Sequence, residues 1–133
     1  MRVVLPPFPF DDPKTYDESS RNAAVVFETD SRAGIHIEDA KCVSLRDTKS
    51  ERGEPCDPRD RADQQWRVAG GSGMPLVVTG KGETMQAARE QAYGRIDDVV
   101  IPNMYYRDDI GERWIDGDGD RLQAWGYLGP GGD

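Results

Sequence analysis

The sequence predicts an α+β fold in which a curved antiparallel sheet of short strands surrounds one main helix. Two observations predict it. Short stretches rich in β-branched residues recur between turn residues, and one later segment carries apolar residues at helical spacing. The length of 133 residues suits one domain with one hydrophobic core, so we expect residues 1–133 to form a single domain.

The first third of the chain predicts four short strands. Their apolar stretches are Val3–Leu5, Ala23–Phe27, Ile35–Ile37 and Cys42–Leu45. Prolines at positions 6, 7 and 9 lack an amide donor, so the first strand should run into an extended loop. Residues 11–22 are polar and predict turns, and alternation places His36 on the face opposite its two isoleucine neighbours. We expect these strands to form an antiparallel meander.

The rest of the chain predicts a long loop, two strands and a hairpin, in addition to the main helix. Residues 46–65 are almost wholly polar and predict a surface loop insertion. Met74–Thr79 predicts the clearest strand, and Met104–Arg107 predicts another. Residues 114–133 form a C-terminal extension that predicts a hairpin, with its turn in the Asp-Gly run from Asp116 to Asp120.

The main helix is predicted from Thr84 to about Ile96. Thr84 is the expected N-cap, because its hydroxyl can accept a hydrogen bond from a first-turn amide. Apolar residues then recur at spacings of three or four and line one face of the helix: Met85, Ala88, Ala92 and Ile96. Pro102 ends any continuation of the helix.

The charge balance argues against several classes of partner. With 25 acidic and 17 basic residues the formal net charge is -8, so the surface repels phosphate backbones and we expect no nucleic-acid partner. No apolar run approaches the roughly 20 residues that cross a bilayer, and the start lacks signal-peptide features, so we expect a cytoplasmic protein without membrane contact. Scarce lysine and abundant aspartate fit either a salt-adapted protein or a GC-rich genome, and stability measured against KCl concentration separates the two.

The sequence predicts no metal site and no catalytic nucleophile. Cys42 and Cys56 are accompanied by a single histidine, whereas a structural zinc site takes four Cys or His ligands, and a cytosolic setting favours two free thiols over a disulfide. The Asp-Gly run begins like a calcium-binding loop but lacks the glycine and bidentate glutamate that such a loop needs further on. No nucleophile-elbow motif of the G-x-S-x-G type occurs.

The candidate site residues lie in the segment that ends at Gly111. Arg107 and Asp109 are two positions apart, so on an extended segment their side chains point the same way. The guanidinium can then bind a phosphate or carboxylate while the aspartate orients it. From the residues alone, a structural Arg–Asp pair beside a glycine turn is the favoured interpretation.

The stretch from Gly70 to Gly111 resembles the C-terminal domain of phosphoribosylamine–glycine ligase, the glycinamide ribonucleotide synthetase of purine synthesis. Order and spacing agree over about 40 residues, which is more specific than any single motif above. The matching pieces are Gly70-Gly71, Val77-Val78-Thr79, Gly82-Glu83-Thr84, Ala87–Tyr93 and Met104–Gly111. The 46–65 loop and the 114–133 extension fall outside the resemblance.

The resemblance implies the C-terminal domain of an ATP-grasp enzyme. In the complete enzyme ATP and magnesium phosphorylate glycine, and the amine of 5-phosphoribosylamine attacks the acyl phosphate. This chain lacks the ATP-grasp region, so we expect it to bind no cofactor and not to be catalytic alone. The resemblance makes Arg107, Asp109 and Gly111 candidates for a substrate contact or a domain interface. Asp108 stands where the family often has a second arginine, which weakens the case for direct phosphate binding.

Two hypotheses stay open. In the first, the chain acts with the ATP-grasp and N-terminal domains of the same ligase, in one polypeptide or as a separate chain. In the second, it is a stand-alone, non-catalytic binding or interaction domain that retains this fold. An ATP-grasp reading frame directly upstream in the genome supports the first hypothesis.

Overall fold

A computed structural model of the chain describes residues 1–44 and 64–129 and confirms the α+β fold. Seven strands are present in these ranges: β1 Arg2–Val3, β2 Ala24–Phe27, β3 Ile35–Ile37, β4 Ala40–Ser44, β5 Gln64–Val68, β6 Leu76–Val78 and β7 Val99–Val100. The helices in the same ranges are α1 Pro13–Ser19, α2 Met85–Ile96, a π-helical turn Trp114–Asp118 and α3 Gly119–Ala124. None of these helices is both long and apolar enough to cross a membrane.

The strands divide between two antiparallel sheets, with orders β1-β6-β3 and β4-β5-β2-β7. The predicted meander is therefore wrong, since β3 pairs with β6 while β4 pairs with β5. The individual strand predictions fare better, because β2, β3 and β6 all lie within the predicted stretches. His36 does lie exposed on the face opposite its two isoleucine neighbours, as the alternation predicts.

The core lies where the two sheets and helix α2 meet. Its fully buried large aliphatic side chains come from four strands, the loop after β1, and α2: Val3, Leu5, Val68, Leu76, Val78, Ile96 and Val99. Burial of each such side chain contributes about 1.5–3 kcal/mol. Because Ile96 belongs to this cluster, helix α2 is fixed to both sheets through its C-terminal half.

Helix α2 is confirmed with its predicted start. The hydroxyl of Thr84 accepts a hydrogen bond from the backbone N–H of Ala87 at 3.1 Å. Two glycines before it allow a close approach to the helix. A Cβ at Gly80 would overlap the backbone oxygen of Ala88, and a Cβ at Gly82 would lie 2.7 Å from the Ala87 Cβ. Side chains at these two positions would push the helix away from the strand that precedes it.

Two predicted irregular regions contain helices. Residues 11–22 were expected to form turns, but α1 begins at Pro13, where the Asp12 carboxylate accepts from the Thr15 N–H at 3.1 Å. Aspartate before proline is an ordinary helix start, and its capping outweighs the polar composition. The hairpin predicted for residues 114–133 is also wrong, because residues 114–124 are helical with a kink at Gly117. Residues 130–133 lie outside the described ranges.

Smaller corrections concern the other predicted segments. Met104–Arg107 is not a strand, since Tyr105 makes only an isolated bridge with Val4. Gln64 and Gln65 belong to β5, so the prediction of a loop is wrong for these two residues. The other residues of that predicted loop, 46–63, lie outside the described ranges, as does Leu45. Cys42 is disulfide-bonded, so the prediction of free thiols is wrong for this residue.

Candidate functional site

Arg107 and Asp109 form a bidentate ion pair, as their spacing predicts. The guanidinium Nε donates to Asp109 Oδ1 at 2.8 Å and Nη2 donates to Oδ2 at 2.6 Å. Both side chains reach solvent, with 75% of the Arg107 side chain and 41% of the Asp109 side chain exposed. The pair therefore lies on the surface, where a partner can reach it.

The ion pair keeps both groups charged. The hydrogen bond from Arg107 lowers the pKa of the Asp109 carboxyl, and the charge of Arg107 acts in the same direction. The hydrogen bond to Asp109 in turn raises the pKa of Arg107 above its already high ordinary value. The arginine cannot lose its proton at physiological pH, so it presents a fixed positive charge.

Helix α2 holds the backbone of this segment through Tyr93. The Tyr93 hydroxyl donates to the carbonyl oxygen of Arg107 at 2.8 Å and accepts from the N–H of Ile110 at 3.2 Å. One hydroxyl thus satisfies a donor and an acceptor on either side of the Asp108-Asp109 turn. This arrangement fixes the backbone that carries the ion pair.

Arg89 adds a third hydrogen bond from the same helix. Its Nη2 donates to the carbonyl oxygen of Asp108 at 2.8 Å, and its guanidinium lies 5.4 Å from the centre of the Tyr93 ring. Its Nε is buried without a hydrogen-bond partner among the described residues. Arg89 and Tyr93 are four positions apart on α2, so both side chains reach the same face of the helix.

Gly111 ends the segment for a steric reason. Its φ is +76°, in the left-handed region that residues with a side chain rarely adopt. A Cβ at this position would also lie 3.0 Å from the Met85 Sδ, closer than ordinary contact. The glycine therefore allows the segment to close against the first turn of α2. It is a structural residue of the site, and Arg107 and Asp109 are the groups that face solvent.

The glycine-rich stretch at 70–73, Thr79 and Lys81 make their hydrogen bonds with residues other than Arg107 and Asp109. The glycine-rich stretch at 70–73 is held by Asp39, whose carboxylate accepts from both the N–H and the hydroxyl of Ser72. The backbone N–H of Lys81 donates to the Gln91 side chain at 2.9 Å. His36 contacts the Thr79 hydroxyl at 3.2 Å. None of these contacts adds a group to the site.

The site has the chemistry of a recognition surface. Two arginines and two aspartates meet there, so their formal charges cancel, and Arg89 and Arg107 already have hydrogen-bond acceptors. Within ranges 1–44 and 64–129, no group of three or more His, Cys, Asp or Glu side chains is placed to hold a metal ion. The fixed charges suit a partner that offers its own ion-pairing groups.

Arg89 and Tyr93 are the site residues that the sequence reasoning missed. Both fall on α2, which the sequence pattern describes only through its N-cap and its apolar face. Their spacing of four residues was visible, but their partners lie at least 14 positions further along the chain. Such long-range hydrogen bonds have no signature in local periodicity.

Comparison with known proteins gives one partial similarity. The phosphoribosylamine–glycine ligase of Corynebacterium ammoniagenes is 42% identical to this chain over 45 residues. These residues make up 34% of this chain and 11% of the relative, so the match covers a small part of that enzyme. No family model matches the chain, and no solved structure matches it. The similarity supports a link to this ligase family at the level of a segment.

Proposed function

We propose that this chain is the C-terminal domain or a subunit of an ATP-dependent phosphoribosylamine–glycine ligase. The complete enzyme would join 5-phosphoribosylamine and glycine into glycinamide ribonucleotide in de novo purine biosynthesis, and this chain would not be catalytic alone. The observation that carries the proposal is that two pieces of the resemblance, residues 87–93 and 104–111, are joined in the structure. Arg89 and Tyr93 of one segment hold the backbone of the other through three hydrogen bonds.

In this proposal the Arg107–Asp109 pair forms part of the interface with the ATP-grasp domain. The pair is exposed, so it can contact oppositely charged groups on that domain. Because its two hydrogen bonds already order both side chains, binding costs little further side-chain conformational entropy. By the resemblance, the proposal assigns ATP and magnesium to the ATP-grasp domain, and this chain contributes by closing the site.

The test is reconstitution. The N-terminal and ATP-grasp domains encoded in the same genome are expressed without their own C-terminal domain and mixed with this chain, and ATP-dependent formation of glycinamide ribonucleotide is measured. We expect activity only in the mixture, together with a complex in sedimentation. The absence of both a complex and activity would count against the ligase proposal.

A second candidate function rests on a different surface. Large aromatic side chains are exposed near the end of the described chain, with 69% of Trp125 and 76% of Tyr127 accessible to solvent. Exposed aromatic residues of this kind are common in interaction surfaces. They favour the alternative of a non-catalytic interaction domain, which predicts a bound partner in the absence of any ligase activity.

A further inference from the structure

The Asp-Gly run gives the C-terminal helical segment, residues 114–124, an unusual shape. Gly117 has a φ of +116°, which kinks the helix between its π-helical and α-helical parts. A Cβ at Gly119 would lie 2.8 Å from Cε2 of Trp114, so only a glycine lets the indole ring pack at that place. The two glycines together set the position of Trp114 beside the start of α2.

A pocket of about 290 Å³ lies between this segment and the first turn of α2. Its lining residues come from both elements: Glu83, Thr84, Met85, Gln86, Trp114, Ile115, Gly119, Asp120 and Gln123. Pockets that enclose whole small-molecule ligands usually measure about 300–1,000 Å³. This pocket is at or below the lower end of that range, so it suits a single inserted side chain better than a large cofactor.

The pocket combines apolar walls with a negative rim. Ile115 and Met85 line it and are 41% and 37% exposed, although both are large apolar side chains. The charged lining residues are Glu83 and Asp120, and no Lys, Arg or His among the described residues lines the pocket. An occupant therefore gains by bringing apolar surface together with positive charge.

The neighbouring arginines do not neutralise this rim. Arg113 and Arg121 lie on either side of the kink, and both bind the same carboxylate, that of Asp118, at 3.1 and 3.2 Å. Asp118 is not a lining residue of the pocket. The two cations therefore have a partner outside the pocket, and the exposed Glu83 and Asp120 are its charged lining residues.

We propose that this pocket binds a partner protein through one apolar side chain flanked by arginine or lysine. The apolar anchor enters between Trp114 and Met85, and the flanking cations pair with Glu83 and Asp120. The inference is independent of the proposed ligase function, because it uses residues outside the Arg107–Asp109 pair.

The test uses short synthetic peptides and the chain labelled with nitrogen-15. One peptide carries a leucine flanked by arginines, a second has the arginines replaced by glutamates, and a third has the leucine replaced by serine. We expect the first peptide to shift the indole N–H signal of Trp114 in a saturable titration, and the other two to bind at least about fivefold more weakly.

A charge variant with a matched control locates the binding. Glu83→Gln with Asp120→Asn should weaken the arginine peptide about fivefold, as expected for the loss of two exposed ion pairs. Asp11→Asn with Glu28→Gln removes the same net charge from exposed positions outside the pocket and should leave the affinity within about twofold. The chain alone should sediment as a monomer over the titration range.

Three outcomes overturn the proposal. Recognition of the acidic rim requires the glutamate peptide to bind more weakly than the arginine peptide, so equal affinities overturn the proposal. Equal effects of the pocket variant and the control variant show that only net charge matters. The third outcome is that the chain self-associates, that the arginine peptide does not disrupt this association, and that the Trp114 signals stay unchanged. This result also overturns the proposal, because the pocket then does not bind a basic segment of a partner protein.

Discussion

Replacement of Tyr93 by phenylalanine tests the central feature of the site, the link between α2 and the segment that carries Arg107. The variant removes the hydroxyl and keeps the ring, which packs at 6.3 Å from the Tyr106 ring. Two hydrogen bonds are lost, at 2.8 Å to the Arg107 carbonyl and at 3.2 Å from the Ile110 N–H. Each protein hydrogen bond contributes a net of about 0.5–1.5 kcal/mol.

The expected loss of stability follows from these two bonds. Tyr93 is half-buried, so water can replace part of the hydroxyl's contribution, and we expect a decrease of about 1–2 kcal/mol in the free energy of unfolding. For a chain of this length that corresponds to a melting temperature lower by roughly 3–8 °C. Urea and thermal unfolding followed by circular dichroism measure the two quantities.

A local readout and a matched control distinguish the link from a general packing effect. The amide of Ile110 loses its acceptor, so its hydrogen exchange should become faster while the exchange of core amides changes only with global stability. Tyr106→Phe is the control, because no hydrogen bond of the Tyr106 hydroxyl is seen among the described residues. If Tyr93→Phe costs no more stability than this control and leaves Ile110 exchange unchanged, the reasoning is refuted.

Three further predictions concern the same segment. Arg107→Ala should abolish activity of the reconstituted ligase yet hardly change the melting temperature of the isolated chain, because the ion pair is exposed. The control is Arg21→Ala, which removes another exposed ion pair, that of Arg21 with Asp17 at 2.6 Å. A large fall in the melting temperature of the Arg107→Ala variant would indicate a structural ion pair. Gly111→Ala should destabilise the chain by about 1–2 kcal/mol in urea unfolding because of its positive φ, and a neutral effect contradicts this. Because the pKa of Asp109 is lowered in the folded state, its stabilising contribution is present above its unfolded pKa and is lost as the pH falls through the folded value. Asp109→Asn should therefore lose less stability on acidification than the wild-type chain, and parallel urea-unfolding profiles would contradict the assignment.

Features governed by neighbouring residues were predictable from the sequence. The N-cap Thr84 specifies the start of α2, because capping acts within one turn. Of the predicted apolar face, Ala92 and Ile96 are buried, whereas Met85 is 37% exposed. The Arg107–Asp109 pair was predictable for the same reason, since two residues suffice to form it. The α+β class follows from the presence of such elements and does not depend on how they pair.

Features governed by distant residues were not predictable. The pairing of β3 with β6 joins strands about 40 positions apart, and equally apolar strands lie nearer in sequence. The kinked helix at residues 114–124 was missed because Asp-Gly repeats have strong turn propensity, whereas packing of Trp114 against Gly119 outweighs it. The link through Tyr93 depends on a contact between two elements, which local patterns do not encode.

The close approach of Gly80 and Gly82 to α2 has a consequence for how the site moves. Gly80 and Gly82 approach the helix at Ala87, Ala88 and Ala92, and Ile96 at its end is buried in the core. Tyr93 and Arg89 hold the Arg107 segment along the side of the helix. The helix and the segment therefore form one rigid unit, and the orientation of the ion pair depends on the orientation of the helix. A substitution such as Gly80→Ala, which contacts no site residue, would shift the helix and so change the direction of the Arg107 side chain.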